Sequence, residues 1–131
     1  MSKTRPSRST APLLIEALPA LAAELDELLR SVDEEELRAQ LPELRLLGRC
    51  TCGDSFCAMV YTGSQKPGPP YPETLALDDA REGMIQLDIV AGRIIGIEVL
   101  YRDDVRAALD RVLPPRPRGP REATGAEGSG E

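Results

Sequence analysis

Three cysteines fall close together at Cys50, Cys52 and Cys57, in the spacing C-x-C-x4-C. Their chemistry admits three readings. As zinc ligands the thiolates supply three of four tetrahedral positions, and Asp54 in the intervening turn or a donor from a second chain completes the set. The zinc-knuckle pattern, C-x-x-C followed by Gly, is one residue longer than Cys50-Thr51-Cys52-Gly53. As redox thiols, Cys52 and Cys57 make a cross-strand pair with Cys50 as the resolving thiol, although only Arg49 stands near enough in sequence to lower a thiol pKa. As small apolar side chains, all three pack on the buried face of a strand. On spacing alone this last reading leads, and zinc is the alternative cofactor to none.

Nothing else in the chain offers catalysis. The 131 residues include no histidine, which removes His general bases, His metal ligands and every Ser-His-Asp or Cys-His arrangement. No phosphate-binding glycine loop, nucleophile elbow or H-E-x-x-H motif occurs. The expectation is therefore no catalytic residue and no enzyme. Acids number 22 against 16 bases, a net charge of −6, which is the wrong sign for gripping a phosphate backbone over a broad surface. No nucleic-acid partner is expected. The pairs Asp78-Asp79 and Asp103-Asp104 are read as a turn and a helix cap rather than as cation ligands. Pro67-Gly68-Pro69-Pro70-Tyr71-Pro72 is read as a constrained connection rather than a polyproline ligand.

The cysteines need elements to hold them, and the hydrophobic period supplies these. Leu18, Leu21, Ala22, Leu25, Leu28, Leu29 and Val32 recur at helical spacing, with Glu24, Asp26, Glu27 and Arg30 in the gaps and Pro19 in the first turn. Leu13-Leu14-Ile15 forms a short turn ahead of this helix. A second helix follows from Asp33, capped by Asp33 with Glu36 three residues on, and ends before Pro42. From Leu44 the period becomes two. The run to Cys52 and the returning run Cys57-Ala58-Met59-Val60-Tyr61-Thr62 make a hairpin in which Cys52 faces Cys57, Cys50 faces Met59 and Gly48 faces Tyr61. Gly63 to Thr74 is a loop.

A second hairpin sets Ile85, Leu87 and Ile89 against Ile95, Ile97 and Val99. A three-residue loop, Val90-Ala91-Gly92, pairs Leu87 with Ile95 and Ile85 with Ile97, whereas a two-residue loop would mix polar and apolar residues on one face. A last helix begins at Asp103 or Asp104, carries the stripe Val105, Ala108, Leu109, Val112 and stops at Pro114-Pro115. The fold expected is α+β: two N-terminal helices, a four-stranded mainly antiparallel sheet of two hairpins, and a C-terminal helix. Residues 1–12 form a disordered arm, 13–113 the domain and 114–131 a disordered tail.

With one Phe, three Tyr and no Trp, the core is aliphatic. No apolar run is long enough to cross a membrane, and Glu16 arrives too soon for a signal-peptide core. An odd cysteine count suits a reducing compartment, so a cytoplasmic protein without membrane partners is expected. Arg outnumbers Lys by 14 to 2, as GC-rich bacterial coding produces.

The residues Arg49-Cys50-Thr51-Cys52-Gly53 with Cys57, followed by Gly92-Arg93-Ile94-Ile95-Gly96-Ile97-Glu98-Val99-Leu100-Tyr101, resemble small uncharacterised proteins of GC-rich bacteria that share a C-x-C-G-x3-C hairpin and a terminal I-x-G-I-E-V-L strand. The resemblance spans about residues 44–101. It implies a compact α+β domain and carries no activity with it. The functional expectation is a non-catalytic protein-interaction module of accessory or immunity type, its acidic helical surface from Glu24 to Glu36 meeting a protein partner. The alternative is a zinc-binding or thiol-redox protein built on the cysteine hairpin. A homodimer is expected as well, because Leu47, Val60, Ile94 and Leu100 are read as a second apolar sheet face.

Overall fold

A computed structural model describes residues 11–52, 54–64, 67–78, 80 and 82–114. The helices are α1 (Leu14–Ala17), α2 (Pro19–Ser31), α3 (Glu35–Arg38) and α4 (Asp103–Val112), with a 3-10 turn at Leu41–Glu43. The strands are β1 (Gly48–Arg49), β2 (Val60–Tyr61), β3 (Glu73–Ala76), β4 (Met84–Val90) and β5 (Arg93–Leu100). They form one antiparallel sheet in the order β1-β2-β5-β4-β3. No helix is long and apolar enough to cross a membrane among the described residues.

The α+β class stands, and the counts change. A fifth strand, β3, lies at the edge of the sheet where the expected loop ends, pairing Thr74 with Asp88 and Leu75 with Leu87. Its signal is weak because only Leu75 is even half-buried on an otherwise exposed strand. The N-terminal helical region breaks into three pieces. Asp33 takes φ +60, and α3 has no side-chain cap hydrogen bond, so the expected Asp33–Glu36 capping box is absent. Pro42 sits inside the 3-10 turn rather than beyond a helix end.

Helices and sheet share one aliphatic core. Leu14, Leu25 and Leu29 from the helices meet Leu46, just ahead of β1, and Ile85, Leu87, Ile97 and Val99 from the sheet, with Val105 and Leu109 of α4 in the same cluster. Val32, expected on the α2 stripe, is 45% exposed at the helix end. Val60 and Ile94 belong to this core, which corrects their placement on a second apolar face; Leu47 and Leu100 are half-buried.

The turn between β4 and β5 resolves the register differently from the sequence expectation. Val90 pairs with Arg93 around Ala91-Gly92, both at positive φ (+52° and +81°), as a two-residue type I′ turn requires. A bulge then slips Ile95 out of the ladder, so Ile89 pairs with Ile94 and Leu87 with Ile97. One extra residue re-phases the strand and keeps the apolar set inward, the condition for which the longer loop had been favoured. Gln40 holds the turn from outside, donating from Nε2 to Gly92 O (2.7 Å) while its Oε1 accepts Ile94 N–H (2.9 Å).

At the start of the described residues, Arg45 donates to Ala11 O (2.6 Å) and Leu46 N–H to Pro12 O (2.8 Å). Residues 1–10, the tail from 115 and Asp79 lie outside the described residues.

Candidate metal centre

The first hairpin keeps the expected register where it is regular. Gly48 pairs with Tyr61, Arg49 with Val60, and Cys50 N–H donates to Met59 O (2.9 Å). The Tyr61 ring covers the bare glycine, its Cδ2 lying 3.9 Å from where a Gly48 Cβ would be. Past Cys50 the two sides stop pairing as strands, and the returning side turns to β5 instead, with Ala58 N–H on Val99 O (2.8 Å) and Cys57 bridging Leu100.

Asp54 N–H donates to Cys52 Sγ (3.5 Å), an arrangement that stabilises negative charge on that sulfur. The three Sγ atoms all lie within 4.8 Å of one another.

None of the three cysteines is a core residue: Cys52 is exposed and Cys50 and Cys57 are half-buried. This overturns the leading expectation that they fill the interior. The turn between them is fastened from two sides. Arg106 of α4 donates to Asp54 O (2.9 Å), and Cys57 N–H donates to Asp54 O (3.2 Å). Arg49 reaches α4, donating from Nη1 to Asp110 Oδ1 and to Leu113 O at 2.7 Å each. The Phe56 and Tyr101 rings stack at 5.2 Å between centroids, and Tyr101 N–H donates to Phe56 O (2.9 Å).

Two expected contributors do other work. Asp54 offers its backbone to the cluster, but its carboxylate is not among the grouped ligand atoms of the described residues. Arg49 is committed to α4 and donates to oxygens, so the support it was to give a reactive thiol is missing. Sequence reasoning missed Tyr61, whose phenol lies near enough to the Cys50 sulfur for each to shift the other's pKa. The signal was available, since Tyr61 pairs opposite Gly48, two residues before Cys50. Among the acidic pairs, Asp103 and Asp104 lie in the first turn of α4, whose N-cap is Arg102, and Asp104 pairs with Arg102 rather than lying open to a cation.

The thiols differ from one another. Burial pushes Cys50 up, but hydrogen bonds from the Cys52 N–H, the neighbouring thiols and Tyr61 outweigh it and leave Cys50 below its ordinary value. Burial pushes Cys57 up to about 11; the Met59 N–H opposes this, and the Cys52 and Cys50 sulfurs add to it. Burial and the Cys50 charge raise the Tyr61 phenol.

In the metal-free protein Cys57 is therefore the slowest thiol to alkylate. A thiol at about 11 is deprotonated about a hundredfold less than an ordinary one, and its higher intrinsic nucleophilicity recovers about tenfold, leaving a deficit of about tenfold near neutral pH. Pulse alkylation with iodoacetamide, read by peptide mass spectrometry at pH 7.5, checks this. Labelling of Cys57 ahead of Cys52 would refute it.

Comparison of the chain with protein-family models, with curated proteins and with solved structures gives no match.

Proposed function

We propose that this chain is a metal-binding protein whose Cys50, Cys52 and Cys57 thiolates hold a zinc ion, with the fourth position filled by a donor from outside the cluster. The observation that carries the reading is the convergence of three sulfurs at one turn. With Zn–S near 2.3 Å, ligand sulfurs on a tetrahedron sit about 3.8 Å apart, so a cluster already held within 4.8 Å needs only a small contraction. Three like-charged thiolates at that spacing repel unless a cation joins them. Among the described residues the guanidinium hydrogen bonds of Arg49 and Arg106 end on oxygen, and a metal ion would supply that charge. Thiolate donors select soft and borderline ions, zinc foremost in a reducing setting.

The redox alternative finds less support, because Arg49, the cation nearest the cysteines in sequence, donates to Asp110 and Leu113 rather than to a sulfur. The interaction-module reading keeps one observation of its own. Phe56 and Tyr101, at 41% and 60% exposure, present stacked rings beside the cluster, a surface that a zinc-fixed turn would hold rigid for a protein partner. The acidic helical surface contributes less than its composition suggests, since Asp26 is engaged by both Arg30 (2.9 Å) and Arg38 (2.8 Å).

Metal analysis of the full chain, purified without chelator, is expected to find about one zinc per chain, and none in Cys52→Ser or Cys57→Ser. Light scattering on the same samples reads the source of the fourth donor. A mass twice 14.2 kDa that falls to 14.2 kDa with chelator assigns it to a second copy. Failure of the metal-free wild type to take up added zinc overturns the metal reading and leaves the aromatic surface as the functional feature.

A further inference from the structure

We infer that the three-sulfur cluster accepts a three-coordinate thiophilic ion, trivalent arsenic or antimony presented as its neutral oxyacid; this rests on the metal-binding reading above and specifies its ligand class. The donor set decides the point. It consists of sulfur alone, the chain has no histidine, and among the described residues no carboxylate joins the group. A tetrahedral ion must import a fourth donor at this site. A trigonal-pyramidal ion needs none, because its lone pair occupies the remaining direction.

Position and charge point the same way. Cys52 is exposed, so a small neutral oxyacid reaches the sulfurs from solvent without the fold opening. The Asp54 amide holds the Cys52 sulfur in place before the ligand arrives, and the α4 contacts of Arg49 and Arg106 fix the turn that carries the cluster. A tris-thiolate of a trivalent ion is neutral. Among the described residues no guanidinium hydrogen bond ends on a sulfur, so a neutral product suits the site better than an anionic one.

The step balances without any oxidant. As(OH)3 and three cysteine thiols give As(SCys)3 and three waters: three As–S bonds form, three As–O bonds break, and each thiol proton leaves in a water molecule. Arsenic remains trivalent and no sulfur is oxidised.

The test titrates the reduced, metal-free full chain with sodium arsenite and, separately, with zinc chloride, read by native mass spectrometry and by the ultraviolet absorbance of the new sulfur bonds. The expected result is one arsenic per chain with loss of three protons. Because Cys52 is exposed, Cys52→Ser keeps the wild-type circular dichroism, and it is expected to bind arsenic about a hundredfold more weakly as one arm of the chelate is lost. Loss of only two protons, or equal affinity in Cys52→Ser, overturns the inference by showing that two thiols do the binding. Uptake of zinc without arsenic overturns it while sparing the metal reading, and uptake of neither overturns both.

Discussion

Replacing Arg102 by methionine is expected to cost about 3–5 kcal/mol, the usual penalty for removing one partner of a buried ion pair. Arg102 and Glu24 are each about 3% exposed in their side chains, and Arg102 Nη1 and Nη2 donate to the two Glu24 carboxylate oxygens at 3.0 and 2.9 Å. Nε and Nη2 donate to Asp104 at 3.0 Å each, and Nη1 donates also to Glu82 O at 3.2 Å. The guanidinium has five N–H groups and makes five bonds, so burial leaves none of its donors unpaired. The pair ties the middle of α2 to the junction of β5 and α4. Arg102→Met takes from the buried Glu24 carboxylate the two guanidinium hydrogen bonds it accepts here, whereas Glu24→Leu combined with Arg102→Met removes both members of the pair. The double variant is thus expected to be more stable than either single one, as denaturant unfolding monitored by circular dichroism will show. A double variant that loses the sum of the two single penalties would mean that the charges act independently. The network also shapes the acid limb. Hydrogen bonds from Arg102, and then from backbone N–H groups, hold Asp104 below the ordinary carboxylate range. Its contribution is present above that range and is lost as pH falls through the lowered value.

Glu24 shows how far the sequence could be read. It stands three residues after Leu21 and four before Leu28, on the apolar stripe itself, and a charged residue there signals a buried partner. Treating it as one of the gap-filling acids hid the strongest polar contact in the fold. Its partner was not legible, because Arg102 is 78 residues away and no local pattern joins them. The helix stripes of α2 and α4, the Gly48–Tyr61 register and the convergence of the cysteines all follow from period and spacing, which are local. What failed was where a single residue re-phases a strand. The bulge at Ile95 converts a two-residue turn into an acceptable one, and alternation alone cannot distinguish that from a longer loop. The burial of the cysteines was misjudged for a related reason. Strand alternation assigns an inward face, but here the strand ends at Arg49, and beyond Cys50 the chain leaves the ladder, with the Asp54 amide on the Cys52 sulfur.

The junction that holds Arg102 has a second requirement, and Gly83→Ala is expected to destabilise the protein by about 2–5 kcal/mol. Gly83 adopts φ +67, where an L-residue with a Cβ costs about 1–2 kcal/mol. Space is lacking as well. A Cβ there would run into the carbonyl oxygen of Leu100, with Tyr101 O and Arg102 Cγ each at 2.9 Å. Two of these three atoms are backbone at the end of β5, which cannot rotate aside, so relief requires moving Met84 away from its partner Leu100; overpacking of this kind costs about another 1–3 kcal/mol. The shift also draws the Glu82 carbonyl from Arg102. Gly92→Ala is the matching control, because Gly92 also has positive φ (+81) but no atom lies within 4 Å of its added Cβ. It is expected to lose only the conformational part, about 1–2 kcal/mol. Denaturant midpoints of the two variants, measured side by side, separate the contributions: a Gly83→Ala loss at least twice that of Gly92→Ala locates the excess in the contact with β5, and equal losses would refute that contact.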